Sequence, residues 1–166
     1  MYMGDGVVLD WGALFMTTTK AVAPDTAGLS FAVFSVAIST GRLFGDRLVE
    51  WLGAGKVMLA SSILAAAGFL FVMAAPSTVT AFAGFVVVGL GASNIIPILF
   101  SIASHQKIMP VNLAISSVTT LGYLGLLMGP PIMGFIAHAS SLYAVFGIVA
   151  GLMIFVGIAS RGLHKL

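Results

Sequence analysis

Cysteine is absent from this chain. That excludes disulfides, thiolate metal sites and cysteine nucleophiles, and it leaves the redox compartment unreadable. Charge is also scarce: 7% of the residues are Asp, Glu, Lys or Arg and 60% are apolar, against about 25% charged in ordinary soluble domains. A soluble domain of this size could not cover its surface with so few polar side chains, so the chain reads as an integral membrane protein. The net charge of +2 is too small to mark a nucleic-acid partner. The opening Met1–Gly6 segment has no basic region, so no signal peptide is expected. His105, His138 and His164 fall in separate loops or the tail, so no shared metal site is expected. Neither a nucleotide-binding loop nor a catalytic triad is legible, and the expectation is a non-enzyme without a cofactor.

What charge there is clusters. Gly41–Lys56 holds five of the chain's twelve Asp, Glu, Lys and Arg residues: Arg42, Asp46, Arg47, Glu50 and Lys56. Uncharged, mostly apolar sequence flanks it from Thr26 to Gly41 and from Val57 to Ser104. Charges at a bilayer centre cost about 2.5–3.5 kcal/mol each, so this stretch reads as a short aqueous loop between two spans. Full spans are expected at Gly28–Phe44, Val57–Ala75, Val79–Ser104, Leu113–Ala137 and Leu142–Ser160. Gly6–Thr19, at about 21 Å, is short of the roughly 30 Å hydrocarbon core and reads as a partial first span.

The fold class is therefore all-α: one polytopic transmembrane bundle over residues 1–166, with five full helices and a partial first one. Alternate loops divide the cations unequally. One side carries Arg42, Arg47, Lys56, Lys107, Arg161 and Lys165, the other Lys20 alone. The positive-inside rule then places the basic side and the C-terminus in the cytoplasm, in a cell (inner) membrane. Gly41/Gly45, Gly125/Gly129 and Gly147/Gly151 are each four apart, a spacing that lets helices approach closely. The six segments also divide loosely into two groups of three of opposite orientation, as in secondary transporters.

Gly41-Arg42-Leu43-Phe44-Gly45-Asp46-Arg47, followed by Gly53 and Lys56, resembles the G-x-x-x-D-R-x-G-R-R loop signature of the major facilitator superfamily (MFS). Gly41 stands one place early, about one helical turn separates Asp46-Arg47 from Gly53, and only Lys56 remains of the trailing basic pair. Gly125-x-x-x-Gly129-Pro130-x-x-x-Gly134 resembles the family's Gly-Pro kinks, and Gly89–Pro97 resembles the fourth helix of a six-helix half. Asp5-Gly6-x-x-x-Asp10-Trp11 resembles the carboxylate-rich seventh helix of proton-linked or sugar-type bacterial permeases. The resemblance covers nearly the whole chain. It implies the C-terminal six-helix half of a secondary transporter of a small solute, starting midway through the seventh helix. It also implies a complementary half or a second copy, because the family's cavity lies between halves. The alternatives are an inactive fragment and a membrane scaffold subunit that works through glycine-lined faces.

The candidate residues follow. Asp5 and Asp10 are five apart, about 140° around a helix, and do not share a face. Asp10 reads either as a proton-coupling carboxylate facing the cavity or as an interfacial residue beside a Trp11 anchor. Asp5 reads either as a mid-depth functional group or as a solvated residue at a frayed terminus. Pro97 frees the carbonyl of Ser93 beside Asn94, so this pair reads as a solute contact or as an interhelical bond. Tyr123, Thr120 and Ser93 are weaker candidates. Gly129, Pro130 and Pro131 read as a rigid kink. Arg42, Asp46, Arg47 and Glu50 read as a conformational latch or as a solvated loop that sets topology, with Gly41, Gly45 and Lys56 completing the signature.

Overall fold

The computed structural model describes residues 1–162, so the expectations for His164 and Lys165 lie outside the described residues. The described residues form a helical bundle without strands: α1 Tyr2–Lys20, α2 Pro24–Ala27, α3 Leu29–Leu52, α4 Ala54–Ala74, α5 Thr78–Ala92, α6 Ile95–His105, α7 Val111–Ala139 and α8 Leu142–Ser160. Five segments are long and apolar enough to cross a membrane: Pro24–Leu52, Ala54–Ala74, Thr78–His105, Val111–Ala139 and Leu142–Ser160. These match the five full spans read from the sequence. The leading helix is longer than expected, running from Tyr2 rather than Gly6.

One expectation is corrected. Gly41–Lys56 is not a loop. α3 continues through Leu52, and the turn is confined to Gly53, at φ +83°. Nothing between Gly41 and Leu52 breaks a helix: proline is absent, and the helix formers Arg42, Leu43, Arg47, Leu48 and Glu50 outweigh Gly45 and Asp46. The polar stretch is thus a helix end that projects beyond the apolar span. Gly53 stops it because a left-handed φ costs glycine least. Two boundaries also shift in detail. Ahead of the Gly28 start expected for the first full span, Pro24 and Asp25 open the one-turn helix α2. The third span is interrupted at Ser93–Asn94, where α5 ends and α6 begins.

α5 sits between α3 and α4, α8 packs on the far side of α4, and α1 packs against α3, α7 and α8. Close approach depends on glycine. A Cβ on Gly68 of α4 would lie 2.6 Å from the backbone nitrogen of Val88 in α5. A Cβ on Gly84 would lie 2.6 Å from Val72 Cγ2, and one on Gly91 would collide with the backbone of Ala65. These three positions let the α4 and α5 backbones nearly touch, which replaces the hydrophobic drive that lipid cannot supply. The expected pairs contribute less, apart from Gly41/Gly45: nothing lies within 4 Å of a Cβ at Gly151, and Gly147 meets only Met73 Cε at 3.8 Å. Deeper in the bundle, Phe15 stacks on Phe146 at 4.4 Å between ring centroids, and Phe69 and Phe85 meet Phe146 edge-on.

Three helix ends are closed by side chains. Ser77 and Thr80 form a reciprocal capping box at the start of α5, and Ser141 Oγ accepts from the Ala144 N–H at the start of α8. Lys20 Nζ donates to the carbonyls of Met73 (3.2 Å) and Ala75 (2.7 Å) at the carboxyl end of α4 and lies 5.8 Å from the Phe15 ring centroid. The lone cation of the sparsely charged end therefore closes orphan carbonyls and ties α1 to α4. Replacing Lys20 with Met should lower stability by about 1–2 kcal/mol through loss of two charge-assisted hydrogen bonds. Thermal denaturation in detergent would read this as a lower midpoint; an unchanged midpoint would contradict the tie.

Candidate functional site

α1, α3 and α7 enclose a groove of about 300 Å³ lined by Asp5, Gly6 and Leu9 of α1, Phe31, Ser35 and Ser39 of α3, and Leu126 of α7. The α1 and α3 residues recur at helical spacing, so each helix turns one stripe into the same space. Asp5 faces Ser35–Ser39, about midway between Leu29 and Phe44, and so lies near mid-depth of the span. Its Oδ1 is sealed from solvent and has no hydrogen-bond partner among the described residues. Arg42 continues the α3 stripe one turn below Ser39. The groove also has a freed backbone acceptor at its wall. α7 runs unbroken through Pro130 and Pro131, and Pro130 has no N–H to offer the carbonyl of Leu126.

α7 presents two exposed faces of different character. Asn112, Ser116, Thr120 and Tyr123 are exposed at the spacing of one helix face, with Leu127 exposed among them and Thr119 half-buried beside them. On a face centred about 115° away, Leu113, Leu121, Leu124, Met128, Ile132 and Phe135 are exposed together with Ser117, so that face is mainly apolar. The apolar face is made for lipid. The polar face, which leads from the basic end of the bundle to Leu126 and the Asp5 groove, is not. Tyr2 lies beside Tyr123 with ring centroids 6.4 Å apart, at the upper end of that polar face.

The candidates separate. Asp5 and Tyr123 fall on this polar surface. Asp10 is exposed and is not part of the Asp5 groove. Asn94 is 6% exposed: its Nδ2 donates to Ser93 Oγ at 3.0 Å, and its side chain sits against Gly45 of α3. A Cβ at Gly45 would collide with the Asn94 amide oxygen, and one at Gly41 would lie 2.7 Å from Ser93 Cβ. The signature glycines thus seat the α5–α6 break, and the signature charges Arg42, Asp46 and Arg47, with Lys56 at the start of α4, stay exposed. Pro97 is exposed on α6, Gly129 is buried beside Met3, and Pro130 and Pro131 lie within α7. Ser35, Ser39 and the α7 hydroxyls, apart from Thr120 and Tyr123, escaped sequence reasoning. Their spacing of four along otherwise apolar helices was the available signal.

The sequence matches the profile of the Major Facilitator Superfamily over residues 2–164. The chain belongs to that superfamily. It is 46% identical to an uncharacterised MFS-type transporter of Yersinia pestis over 99% of this chain and 43% of the relative. It is 33% identical to the membrane protein MosC of Rhizobium meliloti over 83% of this chain and 34% of that protein. A transporter of Sinorhizobium fredii, also uncharacterised, is 31% identical over 89% of this chain and 39% of the relative. The chain spans less than half the length of these curated relatives. MFS membership makes it a multi-pass membrane protein of a transporter family rather than an enzyme family.

The glycine seat yields a test. Gly45→Ala should overpack the α3–α6 joint and cost about 1–3 kcal/mol, whereas Gly151→Ala, with open space around it, should be neutral. Equal denaturation midpoints for the two variants would contradict this packing.

Proposed function

We propose that this chain is the C-terminal half of a proton-coupled secondary transporter of a small solute, with Asp5 as the coupling carboxylate. The observation that carries the reading is the Asp5 groove: a carboxylate oxygen without a partner at mid-depth, flanked by hydroxyls and continuous with the polar face of α7. Intramembrane carboxylates that face a polar cavity rather than lipid are suited to bind and release protons. Of the two carboxylates on α1, Asp5 has that setting and Asp10 does not.

The basic end is the cytoplasmic side on this reading, because Arg47, Lys56, Lys107 and Arg161 gather there and Lys20 is engaged at the other end. The polar wall then opens inward and narrows at Tyr123, Leu126 and Asp5. MFS transporters alternate access by rocking two halves about a shared site. A complementary six-helix half, or a second copy, therefore completes the pathway. The exposed signature charges Arg42, Asp46 and Arg47 at the inner end of α3 are placed to contact such a half.

The test is flux in vesicles that contain the chain together with its complementary half, screened against a panel of labelled solutes under an inward proton gradient. Asp5→Asn should reduce gradient-driven uptake by more than about tenfold while solute exchange without a gradient persists, since only the coupling group is lost. Asp10→Asn should retain uptake. Gradient-driven uptake surviving Asp5→Asn would remove Asp5 from the mechanism, and absence of flux under every gradient would favour the scaffold reading.

A further inference from the structure

Another face of α3 lines a crevice of about 320 Å³ that shares no residue with the Asp5 groove. Phe44 and Leu48 of α3, Ala60 and Leu64 of α4 and Leu90 of α5 form its apolar walls, and no charged residue lines it. Its polar lining is Ser61, Ser93 and Asn94, each more than nine-tenths buried. α4 and α5 run antiparallel, with Gly68 against Val88 and Gly91 against Ala65, so Ser61 comes level with Asn94. The crevice thus meets the break between α5 and α6. Pro97 has no N–H, and the Ser93 carbonyl loses the donor that an unbroken helix would give it. No backbone N–H among the described residues replaces that donor, and hydrocarbon has none to offer. An unpaired acceptor therefore belongs to a fully buried residue on the lining of an uncharged, mainly apolar space.

We propose that this crevice binds a membrane-dissolved phenol, whose O–H donates to the Ser93 carbonyl. The ring lies between Phe44 of α3 and Leu64 of α4, and an alkyl substituent follows the apolar wall. The phenolic oxygen keeps lone pairs for the hydroxyl of Ser61 and the amide of Asn94. Such an occupant supplies the hydrogen bond that Pro97 withholds and braces the joint between α5 and α6.

The lining selects this chemistry. An ion would be desolvated in the crevice with no opposite charge to compensate it, so the occupant is neutral. An orphan carbonyl calls for a donor, which hydrocarbons, ethers and ketones lack. A phenolic O–H is a stronger donor than an aliphatic one, and its ring suits the exposed edge of Phe44, which is 54% accessible. The site is independent of the proposed coupling chemistry, since none of its residues lines the space around Asp5.

The experiment is photolabelling of the full chain in lipid vesicles by a para-alkylphenol with a diazirine on its alkyl chain. Labelled residues are read by peptide mass spectrometry, with para-butylphenol, para-butylanisole and butylbenzene as competitors. The expected result is label on Leu48, Leu64 or Leu90. para-Butylphenol should displace it at a membrane concentration about fivefold lower than para-butylanisole, the discrimination one net hydrogen bond supplies. Pro97→Ala returns an N–H to the Ser93 carbonyl and should erase that preference while label in the crevice persists. Ala60→Trp should fill the crevice and remove the label. Both positions are exposed, and helical circular dichroism would show that the variants remain folded; Pro97→Ala decides the matter if Ala60→Trp does not fold. Equal displacement by the phenol and the anisole, as when water alone holds the Ser93 carbonyl, would overturn the proposal. So would a preference that survives Pro97→Ala, or label spread over α7 and α8 without enrichment in the crevice.

Discussion

Hydrocarbon cannot hydrogen-bond, and every face of this bundle answers to that fact. Backbone polarity is absorbed by the helices themselves. Side-chain polarity has to be buried with a partner, carried beyond the span or turned toward water. Ser93 and Asn94 take the first course, paired with each other against Gly45. Arg47, Glu50 and Lys56 take the second, on the projecting end of α3 and the start of α4. Ser39 and the polar face of α7 take the third, around an Asp5 whose Oδ1 is sealed without a partner among the described residues. The proposed transport function rests on that third group, because polar residues at membrane depth are suited to line a path.

Packing makes the path possible. In lipid, helices associate through close contact rather than through escape from water, and small residues set how close they come. Gly68, Gly84 and Gly91 bring α4 and α5 into backbone contact, and Gly89 does the same for α5 against Phe34 and Ala37 of α3. α3, held on this side, leaves its other faces free. One of them lines the groove with Asp5. α7, by contrast, makes few contacts and has only Ala114, Gly129 and Met133 buried. It is a wall rather than a core helix. Its Pro130 and Pro131 free carbonyls at the depth where α1 meets it.

Much of this was legible in the sequence, and the rest was not, for physical reasons. Hydropathy is a local property, so Leu142–Ser160 was read with its observed bounds and Val57–Ala75 within a few residues of Ala54–Ala74. The charge cluster at Gly41–Lys56 was read as a loop because charge signals exit from the membrane, but exit does not end a helix; Gly53 does. The choice between Asp5 and Asp10 depends on how α1 is rotated against α3, a tertiary fact that a spacing of five residues cannot supply. Asn94 was open between solute contact and packing, and its close seat against Gly45 of α3 is a tertiary contact that spacing along the chain does not announce. The tightest glycines were passed over because Gly84 and Gly91 are seven apart, two turns rather than one.

The central claim is that α7 turns a polar face to water and an apolar face to lipid within the same span. The chain has no cysteine, so single cysteines can be introduced without removing any background. The decisive measurement is labelling of such cysteines in intact membranes by a charged, water-soluble thiol reagent. Ser116→Cys and Thr120→Cys should react readily, and Leu121→Cys and Met128→Cys, about 80–140° around the helix from them, should be protected. Equal protection of all four, or faster labelling of the apolar positions, would contradict the account.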